Sequence, residues 1–381
     1  VDAVFDSTNG AQGIGLHGGW AALRDNFAAV RALSRQDLER KRATMLMTRL
    51  KAPTLKFADD SVPGITRKPV RGSKWAYFDP TGTRITDRDE IDRLNRIALP
   101  PAYRDCWFSP VPGVHLLATG IDARGRKQYR YHPDWRQSRE DKKFELCPRF
   151  GEALPALRAR VSDDLAGRKL GRERAIASVV ALLDTGAIRV GNECYARENK
   201  SFGATTLRNR HAKIERGTLM LRFKGKSGKL QEIACDDPSL VRCVRKMQDL
   251  PGQHLFQYLD EHGDPVPVHS HDVNEYLAET MGCAPDGECF TAKHFRTWAA
   301  STLAFALLFE NPGLSLRAML DDVSQRLGNT PAIARKSYVH PAVIAAAKGD
   351  EGAPKLPQRL PRATRWMTRE ERGLLAFLEG A

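Results

Sequence analysis

Hydrophobic patterning divides the chain into two regimes. From about residue 52 to residue 135, apolar positions come in short bursts broken by turn residues; beyond that they recur every three or four positions. In the first regime, KWAYFDPTGTRITD predicts a short strand, a Pro-Thr-Gly turn and another short strand. DRDEIDRLNRIALPPAY predicts a helix ending before Pro100 and Pro101, because a residue that precedes proline is pushed out of the helical region. VHLLATGIDARGRKQYRYHP predicts a hairpin around Asp122-Ala123-Arg124-Gly125.

In the second regime, EALPALRARVSDDLA and RERAIASVVALLDTGAI carry helical spacing. TLMLRF and LQEIAC interrupt it as strands joined by the lysine-rich turn KGKSGK. Helices resume at LVRCVRKMQDL, VNEYLAET and AKHFRTWAASTLAFALLFE. Residues 348–365 are basic and proline-rich and read as a linker. Thr368 with Glu371 three positions on is a capping box that opens a last helix. The expected fold is α+β. Residues 1–51 form an unassigned N-terminal extension, 52–135 a small β-rich domain, 136–347 a larger, mainly helical domain, and 348–381 the linker and C-terminal helix.

The stretch GNTPAIARKSYVHP, residues 328–341, predicts a helix of about two turns. Thr330 caps its free amides and Pro331 suits its first position. Pro341 stops the chain from continuing as helix. Tyr338 therefore stands at the exit, behind Arg335 and Lys336. It is either a surface ring or a nucleophile.

Composition narrows the partner. The 381 residues carry a net charge of +14, with 60 Lys and Arg against 46 Asp and Glu, which favours a polyanion such as nucleic acid. No apolar run is long enough to span a membrane. The seven cysteines are odd in number and contain no CxxC, so reduced thiols in the cytoplasm are expected. His269, His271 and Glu275 lack a third ligand at a recognisable spacing and do not make a metal site. The first 50 residues, including GAQGIG and the arginine-rich stretch Trp20 to Leu50, lack a secretory signal pattern and receive no function.

A tyrosine nucleophile has definite needs. About one phenol in a thousand is ionised at neutral pH. Attack on a phosphodiester builds charge on the non-bridging oxygens, which planar arginine forks meet best. A leaving oxygen needs a proton, which a lysine supplies. Arg189 follows an apolar helix, and Arg296 opens another beside Phe295 and Trp298, where a half-buried guanidinium asks for an anion. Lys224, Lys226 and Lys229 share the hairpin turn, and composition does not choose among them. Asn329 precedes the tyrosine helix. In RGRKQYRYH, alternation puts Tyr129 and Tyr131 on one face and Gln128 and Arg130 on the other. Arg126 and Lys127 stand beside them, a mixture suited to phosphate and base contacts.

Taken in order, GIDARGRKQYRYHP, AIRVGNECYARENKSFGATTLRNRHAKI, LRFKGKSGK, LPGQHLFQYLDEHG, DVNEYL, FTAKHFRTWA and RLGNTPAIARKSYVHPAVI resemble the type IB DNA topoisomerases, in particular their compact bacterial and poxvirus branch. The resemblance spans roughly Ala52 to Ala345. It implies a β-rich N-terminal domain and a helical catalytic domain of the type IB topoisomerase and tyrosine recombinase kind, closing on duplex DNA as a monomer. It implies relaxation of supercoils through a 3′-phosphotyrosyl intermediate, without ATP or an obligatory metal, on the cytoplasmic nucleoid. Tyr338 matches the nucleophile, Arg189 and Arg296 the two arginines, Lys226 the general acid, and Asn329 a donor to a non-bridging oxygen. Gln128 and Tyr129 match hairpin residues that contact DNA. The stretch between Arg296 and Tyr338 is shorter than the family pattern. A tyrosine recombinase, or a relative that binds DNA without cleaving it, is the competing reading.

Overall fold

The computed structural model describes residues 55–70, 74–123, 125–283 and 287–380. The N-terminal extension, with GAQGIG and Trp20 to Leu50, lies outside them, as does Arg124 of the hairpin turn. The described residues fall into two compact units, divided after Arg136.

The first unit is an antiparallel sheet in the order β2-β1-β3-β4-β5, formed by β1 Ile65–Val70, β2 Lys74–Phe78, β3 Arg104–Phe108, β4 Leu116–Ile121 and β5 Lys127–Tyr131. Helix α1, Arg88–Arg96, covers it where expected, with the Asp87 carboxylate accepting from the Asp89 amide at 3.0 Å. Ile65, Tyr77, Leu94, Phe108 and Ala118 make the core. The hairpin turn is closed by the Gly125 amide on the Asp122 carbonyl at 3.0 Å, and Gly125 has a φ of +75°. Strands β1 and β3 escape sequence patterning. Only Ile65 of β1 is buried, so its apolar alternation is absent. The second strand expected after the Thr-Gly turn shrinks to one bridge, Phe78 with Arg84.

The second unit contains the helix α2 Pro133–Ala166 from Gln137 onward, α3 Arg172–Gly186, α4 Glu193–Asn199, the sheet β6 Ala212–Glu215, β7 Thr218–Lys224 and β8 Leu230–Cys235, and then α5 Pro238–Gln248. The pair β9 Gln257–Leu259 and β10 Pro265–Pro267 follows, then α6 Ser270–Met281, α7 Ala292–Glu310, α8 Leu316–Leu327, α9 Pro331–Ser337, α10 Pro341–Lys348 and α11 Arg369–Glu379. Helix α3 is buried on nearly every side, with Ala175, Ile176, Val179, Val180, Leu182 and Leu183 in the core.

Two expectations are corrected. Residues 348–365 are not a free linker, because Leu360 and then Met367 enter the core and α11 packs on α7. A Cβ at Gly373 would stand 2.5 Å from Leu360 and 2.9 Å from Phe305, so the two elements meet as closely as backbone allows. Cys283 and Cys289, expected as thiols, are joined by a disulfide. The two residues pair as an antiparallel bridge, a closeness that a search for CxxC spacing does not detect. Cys106, Cys147, Cys194, Cys235 and Cys243 are free.

Candidate active site

Helix α9 is built as its sequence demands. The Thr330 hydroxyl accepts from the Ile333 amide at 3.4 Å, and Pro331 takes the first turn. The helix ends at Ser337. Tyr338 adopts φ −133°, ψ −42°, while its amide and that of Val339 both donate to the Ala334 carbonyl, at 3.0 and 2.9 Å. Pro341 does not itself end this helix. It opens α10, which His340 caps by accepting from the Ala342 amide at 3.1 Å. The chain thus breaks at the tyrosine.

Arg296, on α7, is 3% exposed and holds three segments together. One arm of its fork donates to the Ala187 carbonyl, and the other donates to the Leu327 carbonyl at 2.9 Å. Its Cζ lies 4.8 Å from the centroid of the Tyr338 ring. Ala187 ends α3 in the left-handed region at φ +49°, two residues before Arg189. Arg189 is itself pinned through its backbone: its carbonyl accepts from the Ala204 amide at 2.9 Å, and that of Val190 accepts from the Thr205 amide at 2.7 Å. Gly203 permits this, since a Cβ there would stand 2.5 Å from the Arg189 carbonyl oxygen.

Lys226 occupies the exposed tip between β7 and β8, which the Gly225 amide closes on the Lys229 carbonyl at 2.8 Å. The turn lysines are not equivalent. Lys229 donates to the Asn329 carbonyl at 2.9 Å, so it secures the neighbouring turn. That turn meets β8 directly: a Cβ on Gly328 would stand 2.4 Å from Gln231 Nε2.

Three of the candidate cations act on the phenol. Burial pushes the Tyr338 hydroxyl up, but the charges of Arg296, Arg189 and Lys226 outweigh it and hold the group below the ordinary tyrosine value. Arg296 is in turn lowered, first by burial and then by repulsion from Arg189, with Tyr338 opposing both. Asn329 is 8% exposed. Both polar atoms of its side chain, and Arg296 Nε, are buried without a hydrogen-bond partner among the described residues. Each such group costs about 1–3 kcal/mol, and a cluster of them beside convergent cations suits an anionic oxygen. The structure therefore gathers Tyr338, Arg189, Lys226 and Arg296 into one electrostatic cluster, and Asn329 joins it through Leu327 and Lys229. The short stretch between Arg296 and Tyr338 still delivers these contacts, because α8 returns Leu327 to the Arg296 fork.

The DNA-contact candidates lie on β5 in the first unit. Lys127, Tyr129 and Tyr131 are exposed, and Gln128 and Arg130 are half-buried on the other face. The two tyrosine rings stack at 6.0 Å with an interplanar angle of 10°. Lys127 pairs with Asp60 at 2.6 Å. Arg126 and Gln128 both donate to the Asp122 carboxylate, at 2.7 and 3.0 Å. Arg130 donates to the Ile97 and Ala98 carbonyls, at 3.0 and 3.1 Å. The outward face is thus aromatic and cationic, and the inward polar groups brace the hairpin and the end of α1.

Residues 132–342, more than half the chain, match the family described as eukaryotic DNA topoisomerase I, catalytic core. Residues 74–122 match the N-terminal domain of bacterial DNA topoisomerase IB. DNA topoisomerase 1B of Acanthamoeba polyphaga mimivirus is 33% identical over 278 residues, covering 69% of this chain and 81% of that protein. The chain belongs to the type IB DNA topoisomerase family. DNA topoisomerase 1B of Vaccinia virus is 24% identical, over 65% of this chain and 76% of its own. A solved XerH site-specific recombinase bound to difH overlaps at a TM-score of 0.30 and 14% identity, over 49% of each chain.

All five catalytic candidates of this type IB topoisomerase chain fall within the first matched span, whereas β5 lies between the two spans. Among its described residues, no group of three or more His, Cys, Asp and Glu is arranged to hold a metal ion, and no helix is long and apolar enough to cross a membrane. His269 and His271 stack on each other, and Glu275 pairs with Arg172 at 3.2 Å. Sequence reasoning missed Lys143 and Ser301, which hold the backbone around Tyr338, and named Lys229 only as an alternative to Lys226 and not as the donor that holds Asn329. Arg158, which pairs with Glu371 at 2.7 Å, was also missed, and Glu371 was read only as part of a capping box.

Proposed function

We propose that this chain relaxes supercoiled duplex DNA by cutting and resealing one strand through Tyr338. The phenol releases its proton to water as its oxygen attacks phosphorus, the bond to the 5′ oxygen breaks, and the enzyme holds a 3′-phosphotyrosyl ester. Lys226 gives the departing 5′ oxygen its proton. Arg189, Arg296 and the Asn329 amide steady the charge that grows on the non-bridging oxygens. Strain in the DNA drives rotation, and the 5′ hydroxyl re-attacks, so the bond energy is conserved in the ester and ATP is not needed. The chain acts as a monomer at the nucleoid, with Gln128, Tyr129 and their neighbours on β5 against the duplex. One observation carries this reading: the buried Arg296 guanidinium sits 4.8 Å from the Tyr338 ring and ties it to the segments bearing Arg189 and Asn329, where Asn329 and Arg296 Nε are buried without a partner among the described residues.

The test is plasmid relaxation in EDTA without ATP, run beside denaturing electrophoresis of enzyme mixed with labelled duplex. Relaxation and a slow-migrating adduct are expected from the wild-type chain. Tyr338→Phe is expected to lose both while binding duplex with near-normal affinity. An adduct that persists in Tyr338→Phe overturns the assignment.

A further inference from the structure

The peptide groups on either side of Tyr338 are held from two different helices. Lys143, on α2, donates from Nζ to the Ser337 carbonyl at 2.7 Å, which is the last carbonyl of α9. Ser301, on α7, donates to the Tyr338 carbonyl at 3.3 Å and accepts from the His340 amide at 3.0 Å. Phe144, next to Lys143, is buried, and its ring stands edge-on to His340 at 5.6 Å. The Lys143 ammonium sits 4.2 Å from the centre of the Phe144 ring. Residues 337–340 thus lie between a cation on one helix and a hydroxyl on another, and α7 also carries Arg296.

We infer that Lys143 is a positioning residue for the nucleophile: its bond to the Ser337 carbonyl fixes the peptide entering Tyr338, so the phenol starts each turnover aligned with the arginine cluster. The inference rests on the reading of Tyr338 as the nucleophile. Two physical points support it. The free carbonyls of a helix end favour a cation, and here the cation comes from another helix and therefore fixes position as well as charge. Withdrawing an ammonium from water is costly, and an ordinary packing site would be filled by an apolar side chain at lower cost. Burial in fact lowers the Lys143 pKa, with Glu140 and Tyr338 opposing that shift. Lys143 touches none of the reacting atoms in this scheme. A misplacement near 1 Å costs a reaction about 100-fold, and the loss of this bond frees the backbone on one side of the tyrosine.

The experiment measures single-turnover cleavage and religation of a labelled duplex, together with duplex affinity and melting temperature. Lys143→Met is expected to slow cleavage and religation alike, by ~10- to 100-fold, with affinity and melting near wild type. Lys143→Arg, which keeps a charged donor of similar reach, is expected to recover most of the rate. A merely structural lysine would move melting and affinity and would not slow the two directions equally. Cleavage by Lys143→Met within about twofold of wild type overturns the inference, as does Lys143→Arg no faster than Lys143→Met. Should Lys143→Met fail to fold, Lys143→Gln takes its place under the same thresholds, being neutral and one atom shorter. A wild-type chain that forms no adduct overturns the reading of Tyr338 instead, so the two failures are distinguishable.

Discussion

At the scale of single residues, the difficulty for a tyrosine nucleophile is its proton, and this site meets it with fixed positive charge. Arg296 is the most constrained member. Its two arms end on the Ala187 and Leu327 carbonyls while its Cζ faces the Tyr338 ring, so it bridges the segments that carry Arg189, Asn329 and Tyr338. A lysine has one donor head and cannot reach both carbonyls with a planar fork. Arg296→Lys is therefore expected to lower single-turnover cleavage by about 100- to 1,000-fold, the scale of removing one donor to a developing oxyanion, with duplex affinity largely kept. A rate within tenfold of wild type would make the guanidinium a scaffold only. Lys226→Ala is expected to be slowed in the same assay and rescued by a duplex whose 5′ leaving group needs no proton. The candidates for the reacting groups were named from the sequence through the resemblance. Their supports were not, since Lys143 and Ser301 act on backbone carbonyls and amides, and nothing in a residue's name says which carbonyl it will meet.

At the scale of elements, the helices with strong three- and four-residue spacing were the legible part. AKHFRTWAASTLAFALLFE is α7 over its whole length, and the Thr368 capping box does open α11. Strand β1 was not legible, because a strand with one buried position has no alternation to read, and β3 buries only Cys106 and Phe108, too short an alternation to stand out. The disulfide was hidden for a related reason: it depends on a backbone bridge between Cys283 and Cys289 and not on a spacing motif. The segment after α3 shows how an element with no periodicity is held. Arg189 and Val190 run beside the turn at Gly203, with the Arg189 carbonyl bonded to the Ala204 amide at 2.9 Å. Gly191, at φ +105°, lies against the same turn, and a Cβ on Gly203 would meet its backbone nitrogen at 2.6 Å. These are backbone atoms and cannot step aside. Gly203→Ala is thus expected to cost about 1–3 kcal/mol of stability and to displace Arg189. Denaturant unfolding should show a lower midpoint, and cleavage should fall even at temperatures where the variant is fully folded. Cleavage unchanged in the folded variant would mean that Arg189 does not depend on this turn.

At the scale of the whole molecule, residues after Tyr338 are part of what holds the site. Arg158 of α2 donates to Asp184 of α3 at 2.7 Å and to Glu371 of α11 at 2.7 Å. The Trp298 indole, two residues from Arg296 on α7, donates to the same Glu371 carboxylate at 3.1 Å. Two helices, α2 and α7, therefore meet the C-terminal helix at one buried charge, and α3 is tied to it through Arg158. Burial pushes the Glu371 carboxyl up, but Arg158, the Thr368 amide and Trp298 outweigh it and hold it below the ordinary glutamate value. A depressed carboxyl stabilises the fold above its unfolded pKa, and that contribution disappears as pH falls through the depressed folded value. Glu371→Gln removes the charge at every pH. At pH 7 it should cost about 3 kcal/mol, the scale of breaking one half of a buried pair. Below the ordinary glutamate range the gap between the two proteins should narrow, and it closes once pH falls through the depressed folded value, where the wild-type carboxyl protonates as well. Thermal melting of both from pH 7 to pH 3 reads this directly. A gap that stays constant over that range would mean that the charge on Glu371 does not hold α11 in place. A gap that closes, with cleavage in Glu371→Gln reduced at pH 7, would tie the anchoring of α11 to the alignment of α7 and of Arg296 upon it.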